Sequence, residues 1–301
     1  MEYVILDLEW DSVYFTPEKR FINQILQIGA VRLDSDFNTK SVFSATVCSA
    51  ISKKVTSRFA KLTGITSEIM REGIPFEEAV DAYNRFAEGA QITMTWSNSD
   101  LYTILENEEL LLKDKVKFIF NKYLDLQKLV QSDLALKGYE SKNQISLEAA
   151  AELSGIDTEG FELHTALDDC RVCAELLRKS YNEQRFNSLI KDTSSPDFYA
   201  RLKFKPYSIS DINDKQIDRA QLDFLCPECG GVTKRISRWK YRNRWFVSDF
   251  QCKKCRFKFN GRVAFKKTYD DLQVRRKVCE FRTKKRKTKD DMQPLSETVQ
   301  S

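Results

Sequence analysis

One histidine, His164, serves all 301 residues, so any role that needs an imidazole falls to a single side chain. A long apolar run is also missing at the start of the chain. The opening stretch Tyr3-Val4-Ile5-Leu6 is a few residues long and runs directly into Asp7 and Glu9. Neither a membrane span, which needs about 20 apolar residues, nor a secretory leader reads from it. The expected compartment is therefore the reducing cytoplasm, with no membrane partner. No internal repeat is visible, which argues against a solenoid, and no heptad pattern argues for a coiled coil. Charge of one sign does not dominate, the net balance being +5.

That balance hides a division. Residues 222–289 hold roughly 22 lysines and arginines against about 6 acids, while residues 1–221 are net acidic by about 8. An acidic body does not attract a polyanion, so any long-range pull on phosphate must come from the basic carboxy-terminal region.

The most informative acids lie in the first apolar run, Leu6-Asp7-Leu8-Glu9-Trp10. In a strand, residues two apart share a face, so Asp7 and Glu9 aim into one pocket. Carboxylates that close repel unless a cation sits between them, and oxygen ligands suit Mg²⁺ or Mn²⁺. Solvated acidic pairs are common, so this pair needs company. It has two further pieces. Trp96-Ser97-Asn98-Ser99-Asp100 follows the strand-like Gln91–Thr95 and precedes a helical pattern. His164-Thr165-Ala166-Leu167-Asp168-Asp169 opens a helix that runs through Cys173, Leu176 and Leu177.

In this order the pieces resemble the DEDDh 3′→5′ exonucleases over roughly residues 1–183, most closely the RNA-processing, sporulation-inhibitor-like branch. Asp7 and Glu9 fit the first motif, Asp100 the second, and His164 with Asp169 the third. Gln27-Ile28-Gly29-Ala30-Val31 and Leu62-Thr63-Gly64-Ile65-Thr66 also look familial, the latter near where members hold the substrate end. Where the family usually carries Gly after Trp, this chain has Ser97, which fits only if no positive φ is required there. The resemblance implies an RNase H-like mixed sheet flanked by helices. It implies two Mg²⁺ or Mn²⁺ ions held by Asp7, Glu9, Asp100 and Asp169, with His164 as general base. It also implies hydrolysis from the 3′ end of single strands or overhangs in preference to blunt duplex, with RNA somewhat favoured over DNA. A DNA proofreading or repair exonuclease and a non-catalytic nucleic-acid-binding protein remain open beside it. Asp168, about 100° round the helix from Asp169, reads as a helix-start charge rather than a ligand.

A second block, Cys226-Pro227-Glu228-Cys229 and Cys252-Lys253-Lys254-Cys255, presents four thiolates in two Cys-x-x-Cys pairs. That is the ligand set of one structural tetrahedral zinc, with iron in the same geometry left open. The element expected is a small zinc-ribbon β domain over 222–267. Cys170 and Cys173 read as core thiols of the helix after His164, and no role follows for Cys48 or Cys279.

Within the ribbon, Arg238-Trp239-Lys240-Tyr241-Arg242-Asn243-Arg244-Trp245-Phe246 interleaves cations with aromatics. Strand parity would place Trp239 and Tyr241 on one face and Arg238, Lys240, Arg242 and Arg244 on the other, with a turn near Asn243 to accommodate Phe246. The reading is a stacking and phosphate-binding platform for a single strand, some of whose rings must also serve a small core. A protein or ribonucleoprotein partner for the ribbon is the alternative. Residues 184–221 read as a linker. Residues 268–301, with Arg275-Arg276-Lys277 and Lys284-Lys285-Arg286-Lys287, read as a basic, partly disordered tail.

Overall fold

A strand whose side chains are buried on both faces organises the amino-terminal half. The computed structural model describes residues 1–112, 117–139 and 143–281 and divides into Met1–Lys203 and Phe204–Ser301. In the first unit β1 (Tyr3–Phe15), β2 (Arg20–Leu33) and β3 (Thr39–Cys48) form an antiparallel meander. There follow α1 (Ser57–Thr63), α2 (Ser67–Glu72), β4 (Ile74–Pro75), α3 (Phe76–Ala87), β5 (Ile92–Thr95), α4 (Ser99–Asn107) and β6 (Lys122–Asp125). Then come α5 (Leu126–Leu136), α6 (Leu147–Leu153), α7 (Ala166–Ser180), α8 (Glu183–Leu189), β7 (Lys191–Asp192) and α9 (Pro196–Lys203). The seven strands lie in the order β4-β3-β2-β1-β5-β6-β7, with β5 and β6 parallel to β1.

Two cores sandwich this sheet. Tyr3, Ile5, Val31, Met94 and Leu124 pack with Leu129, Val130, Ala151 and Leu177 of α5, α6 and α7. Val4, Leu6, Leu8, Ile28 and Ala30 pack on the other side with Val80, Tyr83, Leu101 and Ile104 of α3 and α4. A sheet covered on both faces explains the near-continuous apolar run of β1. Cys170 and Cys173 lie fully buried in the first core, as expected of core thiols.

The proposed linker does not exist as one. Phe186 of α8 is buried against Tyr3 and Phe37, β7 pairs with β6, and Leu202 of α9 enters the second core. Apolar side chains in 184–203 thus complete the first unit, because leaving them in water costs more than fixing the chain. Ile209 and Ile217 are buried in the second unit.

The second unit contains β8 (Tyr207–Ser208), β9 (Thr233–Arg235), β10 (Lys240–Arg242), β11 (Trp245–Cys252), β12 (Lys258–Lys267) and β13 (Leu272–Glu280). Strands β10-β11-β12-β13 are adjacent in that order, with β9 also on β11 and β8 on β12. Phe224, Phe246, Phe250, Phe259, Val263 and Phe265 are buried together on one face. Phe250 and Phe259 stack at 5.6 Å, and a Cβ at Gly261 would lie 2.7 Å from the Phe250 ring. Only glycine lets that ring pass over β12.

The turn expected near Asn243 is present, and one expectation, that of the tail, changes. Asn243 and Arg244, at φ 50° and 65°, make the two-residue turn that joins β10 to β11, a mirror-image turn that matches strand twist. It resets parity, so Tyr241 pairs with Phe246 and Arg242 with Trp245. Leu272–Glu280, read as tail, is a strand paired along β12, because Leu272 and Val274 pack on the aromatic core. The run Lys284-Lys285-Arg286-Lys287 lies outside the described residues. Among the described residues no helix is long and apolar enough to cross a membrane.

Candidate active site and metal centre

Close approach of a helix to a glycine assembles the acidic site. Gly29 on β2 pairs with Asp7 on β1. A Cβ at Gly29 would lie 2.3 Å from the Ala166 carbonyl carbon, so the start of α7 rests directly on the strand beside Asp7. Gln27, paired with Glu9, accepts the Ala166 amide through Oε1 at 2.9 Å. Thr165 caps the same helix by accepting the Asp168 amide. These contacts carry Asp169 to the first motif: carboxylate oxygens of Asp7, Glu9 and Asp169 all lie within 4.8 Å of one another.

Asp100 stands outside that trio yet is felt by it. It lies in the first turn of α4, almost fully buried, and its Oδ1 has no hydrogen-bond partner. The preceding turn is fixed by Tyr123, whose hydroxyl reaches Thr95 Oγ1 at 2.7 Å and donates to Asn98 Oδ1 at 3.0 Å. Ser97 takes no positive φ, and its Oγ accepts the Ser99 amide, so serine fits there without backbone strain.

His164 is exposed, with a left-handed backbone at φ 67°, and its amide donates to Asp169 Oδ1 at 3.3 Å. Such a φ costs on the order of 1–3 kcal/mol for a non-glycine residue and persists where surroundings impose it. Asp168 faces elsewhere. It accepts the Glu162 amide and pairs with Arg171 at 2.6 Å, as its helix position implies.

Electrostatics single out the cluster. Burial, then Asp100, Asp169 and Glu9, hold the Asp7 carboxyl well above the usual range. Burial, Asp169 and Asp100 push Glu9 to about 8. Asp100 is pushed to about 7, chiefly by burial, against backbone amides of Asp100 and Leu8 that favour its charged form. Asp169 is also raised by burial, partly offset by the His164 amide and imidazole. Four carboxyls that resist ionising side by side need protons or a cation. The donor set is all oxygen, and one buried oxygen lacks a partner, which fits divalent metal. Sequence reading missed Asp125, which ends β6, caps α5 and contributes to the repulsion at Asp100. Its one signal was position: an acid at the carboxyl end of a strand in a parallel set.

The four cysteines of the second unit meet in two matching turns. Cys226 and Cys252 each donate their amide five residues on, to Gly231 and Phe257 at 2.9 Å. In each turn the residue after the second cysteine, Gly230 or Arg256, is left-handed. Sulfur separations are 3.6 Å for Cys226–Cys255 and 3.5 Å for both Cys229–Cys252 and Cys229–Cys255. A disulfide needs about 2.05 Å, whereas sulfurs about 2.3 Å from one tetrahedral zinc stand roughly 3.8 Å apart. Amides of Cys255 and Lys254 donate to Cys252 Sγ and pull its thiol down to about 6. The cluster is thus preset for metal.

The mixed sheet, its flanking helices and the acids beside its central strand define an RNase H-like exonuclease fold. The chain belongs to the RNase T exonuclease family, whose model matches residues 4–177. DNA polymerase III PolC-type from Thermotoga petrophila and from Thermotoga maritima are each 27% identical to it over 175 residues, 58% of this chain and 11% of theirs. The chain spans about a tenth of the length of these curated relatives. Among solved structures, a full-length 3′-exonuclease aligns at TM-score 0.53 and 17% identity over 65% of this chain and 91% of that one. Cell-death related nuclease 4 aligns at 0.51 and 19% over 59% and 62%. The nuclease domain of 3′hExo, a DEDDh family member bound to rAMP, aligns at 0.50 and 20% over 59% and 90%.

Proposed function

We propose that this chain is a metal-dependent 3′→5′ exonuclease of single-stranded nucleic acid whose zinc ribbon captures the substrate. The observation that carries the nuclease reading is the meeting of Asp7, Glu9 and Asp169 beside the unpartnered Asp100 oxygen. When bound, two Mg²⁺ or Mn²⁺ ions supply a reactive hydroxide and stabilise the attacking and leaving oxygens of phosphodiester hydrolysis. Asp7, Glu9, Asp169 and Asp100 would hold these ions. Asp169 fixes the turn at His164 through its amide, and the exposed imidazole accepts the proton of the attacking water. Burial of Leu8 and the α4 start around Asp100 keeps bulk water from screening the Asp100 charge. The four cysteines hold one Zn²⁺ and let the small ribbon fold.

RNA is the favoured polymer. DNA is the second reading, and one observation speaks for it: the two Thermotoga relatives are DNA polymerase III PolC-type proteins. The test uses matched RNA and DNA strands carrying a label on either end, single-stranded and blunt duplex, with Mg²⁺. The expected pattern is immediate release of the 3′ label as a mononucleotide, gradual shortening of the 5′-labelled strand, and slow action on blunt duplex. Release of the 5′ label first, or internal cutting, contradicts it.

A further inference from the structure

The ribbon sheet has a second face that the aromatic core does not use. Along β11 the side chains alternate: Phe246, Ser248 and Phe250 are buried, while Trp245, Val247 and Asp249 are half-exposed on the opposite side. Register carries that outer side across the sheet. Lys240 pairs with Val247, Val247 with Arg262, and Arg262 with Lys277. Arg242 pairs with Trp245, and the Arg275 guanidinium lies over the Trp245 ring at 5.4 Å. One indole is thus ringed by Lys240, Arg242, Arg262, Arg275 and Lys277. Among the described residues none of these five cations forms an ion pair.

This face is concave and preset. Arg242, Trp245, Asn260 and Arg262, together with the carboxylates Asp249 and Glu280, line a cleft of about 280 Å³. Arg262 Nε donates to Asn260 Oδ1 at 3.0 Å, and Asn260 Nδ2 donates to Asp249 Oδ1 at 3.0 Å. That relay fixes the guanidinium, so less freedom is lost when it grips an anion. Trp239 is half-buried too, but on the core side of the sheet: it packs on Phe250 at 5.8 Å between centroids, with the Arg235 guanidinium 5.7 Å over its ring, and lines a separate cleft with two arginines, Arg219 and Arg235. Arg276, on the inner side, donates to the Asp223 carbonyl and lies over Phe224.

Unpaired cations around one accessible aromatic ring match a polyanion whose repeating unit carries a π-face, and a single strand offers both. We infer that the outer face of β10–β13 is the single-strand site of the ribbon, with a base stacked at Trp245 and phosphates on Arg242, Arg262, Lys240, Lys277 and Arg275. The inference rests on the reading that the ribbon captures nucleic acid, and it moves the contact from Trp239 and Tyr241 to Trp245.

The test uses the full chain carrying Asp7→Asn, so that the strand survives, and a short 5′-fluorescein single strand followed by anisotropy over a salt series. Trp245→Leu should weaken binding on the order of ten-fold and abolish tryptophan quenching. Arg242→Gln with Arg262→Gln and Lys277→Gln should lower the salt slope by about 2, at roughly 0.7 per lost phosphate contact. Zinc content equal to the parent's shows that each ribbon has folded, and the exposed Arg242→Gln alone should still lower the slope by about 0.7. Affinity and slope unchanged in all three overturn the inference, as does polyaspartate competing as well as the oligonucleotide, which would mark an acidic protein partner. If the chain with Asp7 restored fails to cut single strands, the nuclease reading falls while the binding result stands.

Discussion

The two units solve the problem of holding like charges together in opposite ways. In Met1–Lys203 four carboxyls are forced close by a large core: β1 is buried on both faces, and α7 is pressed onto Gly29. The frame exists first, and a metal ion would answer its electrostatic demand. In Phe204–Ser301 the core is a handful of phenylalanines, too few to hold four thiolates by packing alone. There the metal proposed for the four cysteines would be part of the frame. A site imposed by packing should survive metal loss with its fold intact, whereas a site that completes the packing should not.

The largest break in this comparison concerns turnover. If Asp7 holds metal as proposed, Asp7→Asn removes several kcal/mol of metal-borne stabilisation, so hydrolysis should fall by about 10³-fold or more. His164→Ala should cost about 10²–10⁴-fold. Near-ultraviolet circular dichroism should be parental in both, because neither side chain belongs to a core.

Next comes metal removal from the ribbon. Cys229→Ser, or a strong chelator, should abolish the ribbon's own unfolding transition in calorimetry, since structural zinc supplies folding free energy outright. The transition of the first unit should remain. If both vanish together, the two frames are not independent.

Gly29→Ala probes the packing side of the comparison. Its methyl group would meet the Ala166 backbone at 2.3 Å, so α7 must shift. Denaturant titration should show a loss of about 1–3 kcal/mol, with Mg²⁺ affinity falling as Asp169 moves from Asp7.

The smallest effect is a dependence on pH. Asp7, Glu9 and Asp100 are raised from ordinary values of 3.8, 4.5 and 3.8, Glu9 to about 8 and Asp100 to about 7. The folded, metal-free site therefore binds more protons than the unfolded chain. Its stability is greatest below pH ~4 for these groups and is lost as pH rises through about 7 to 8. Melting temperature without metal should drop over that window, and Mg²⁺ should restore more of it at pH 8 than at pH 5. A metal effect independent of pH would contradict the assignment.

Much of the active site was legible because its parts follow short rules. Asp7 and Glu9 share a face through strand period, and His164 and Asp169 flank a helix start. The proximity of Asp100 to them is a property of sheet order, and only the family resemblance supplied it. Asp125 escaped because a lone acid before a helix looks like a cap, which it also is. In the ribbon, Arg275-Arg276-Lys277 masked the alternation of Leu272 and Val274 that makes β13 a strand. The turn expected near Asn243 spans two residues, Asn243 and Arg244, and only that length sets Trp245 opposite Arg242, on the charged face, which strand alternation alone does not give. The supposed linker shows the same lesson: Phe186 and Leu202 were visible, but only the sheet edges and cores reveal where they dock.

The most direct measurement is a time course on 5′-labelled single-stranded RNA and DNA with Mg²⁺ or Mn²⁺, run beside Asp7→Asn and a metal-free control. The predicted result is a ladder shortening from the 3′ end that requires metal and disappears in the variant. A ladder that persists in Asp7→Asn, or no degradation alongside intact salt-sensitive binding, would contradict a metal site built on Asp7, Glu9, Asp100 and Asp169.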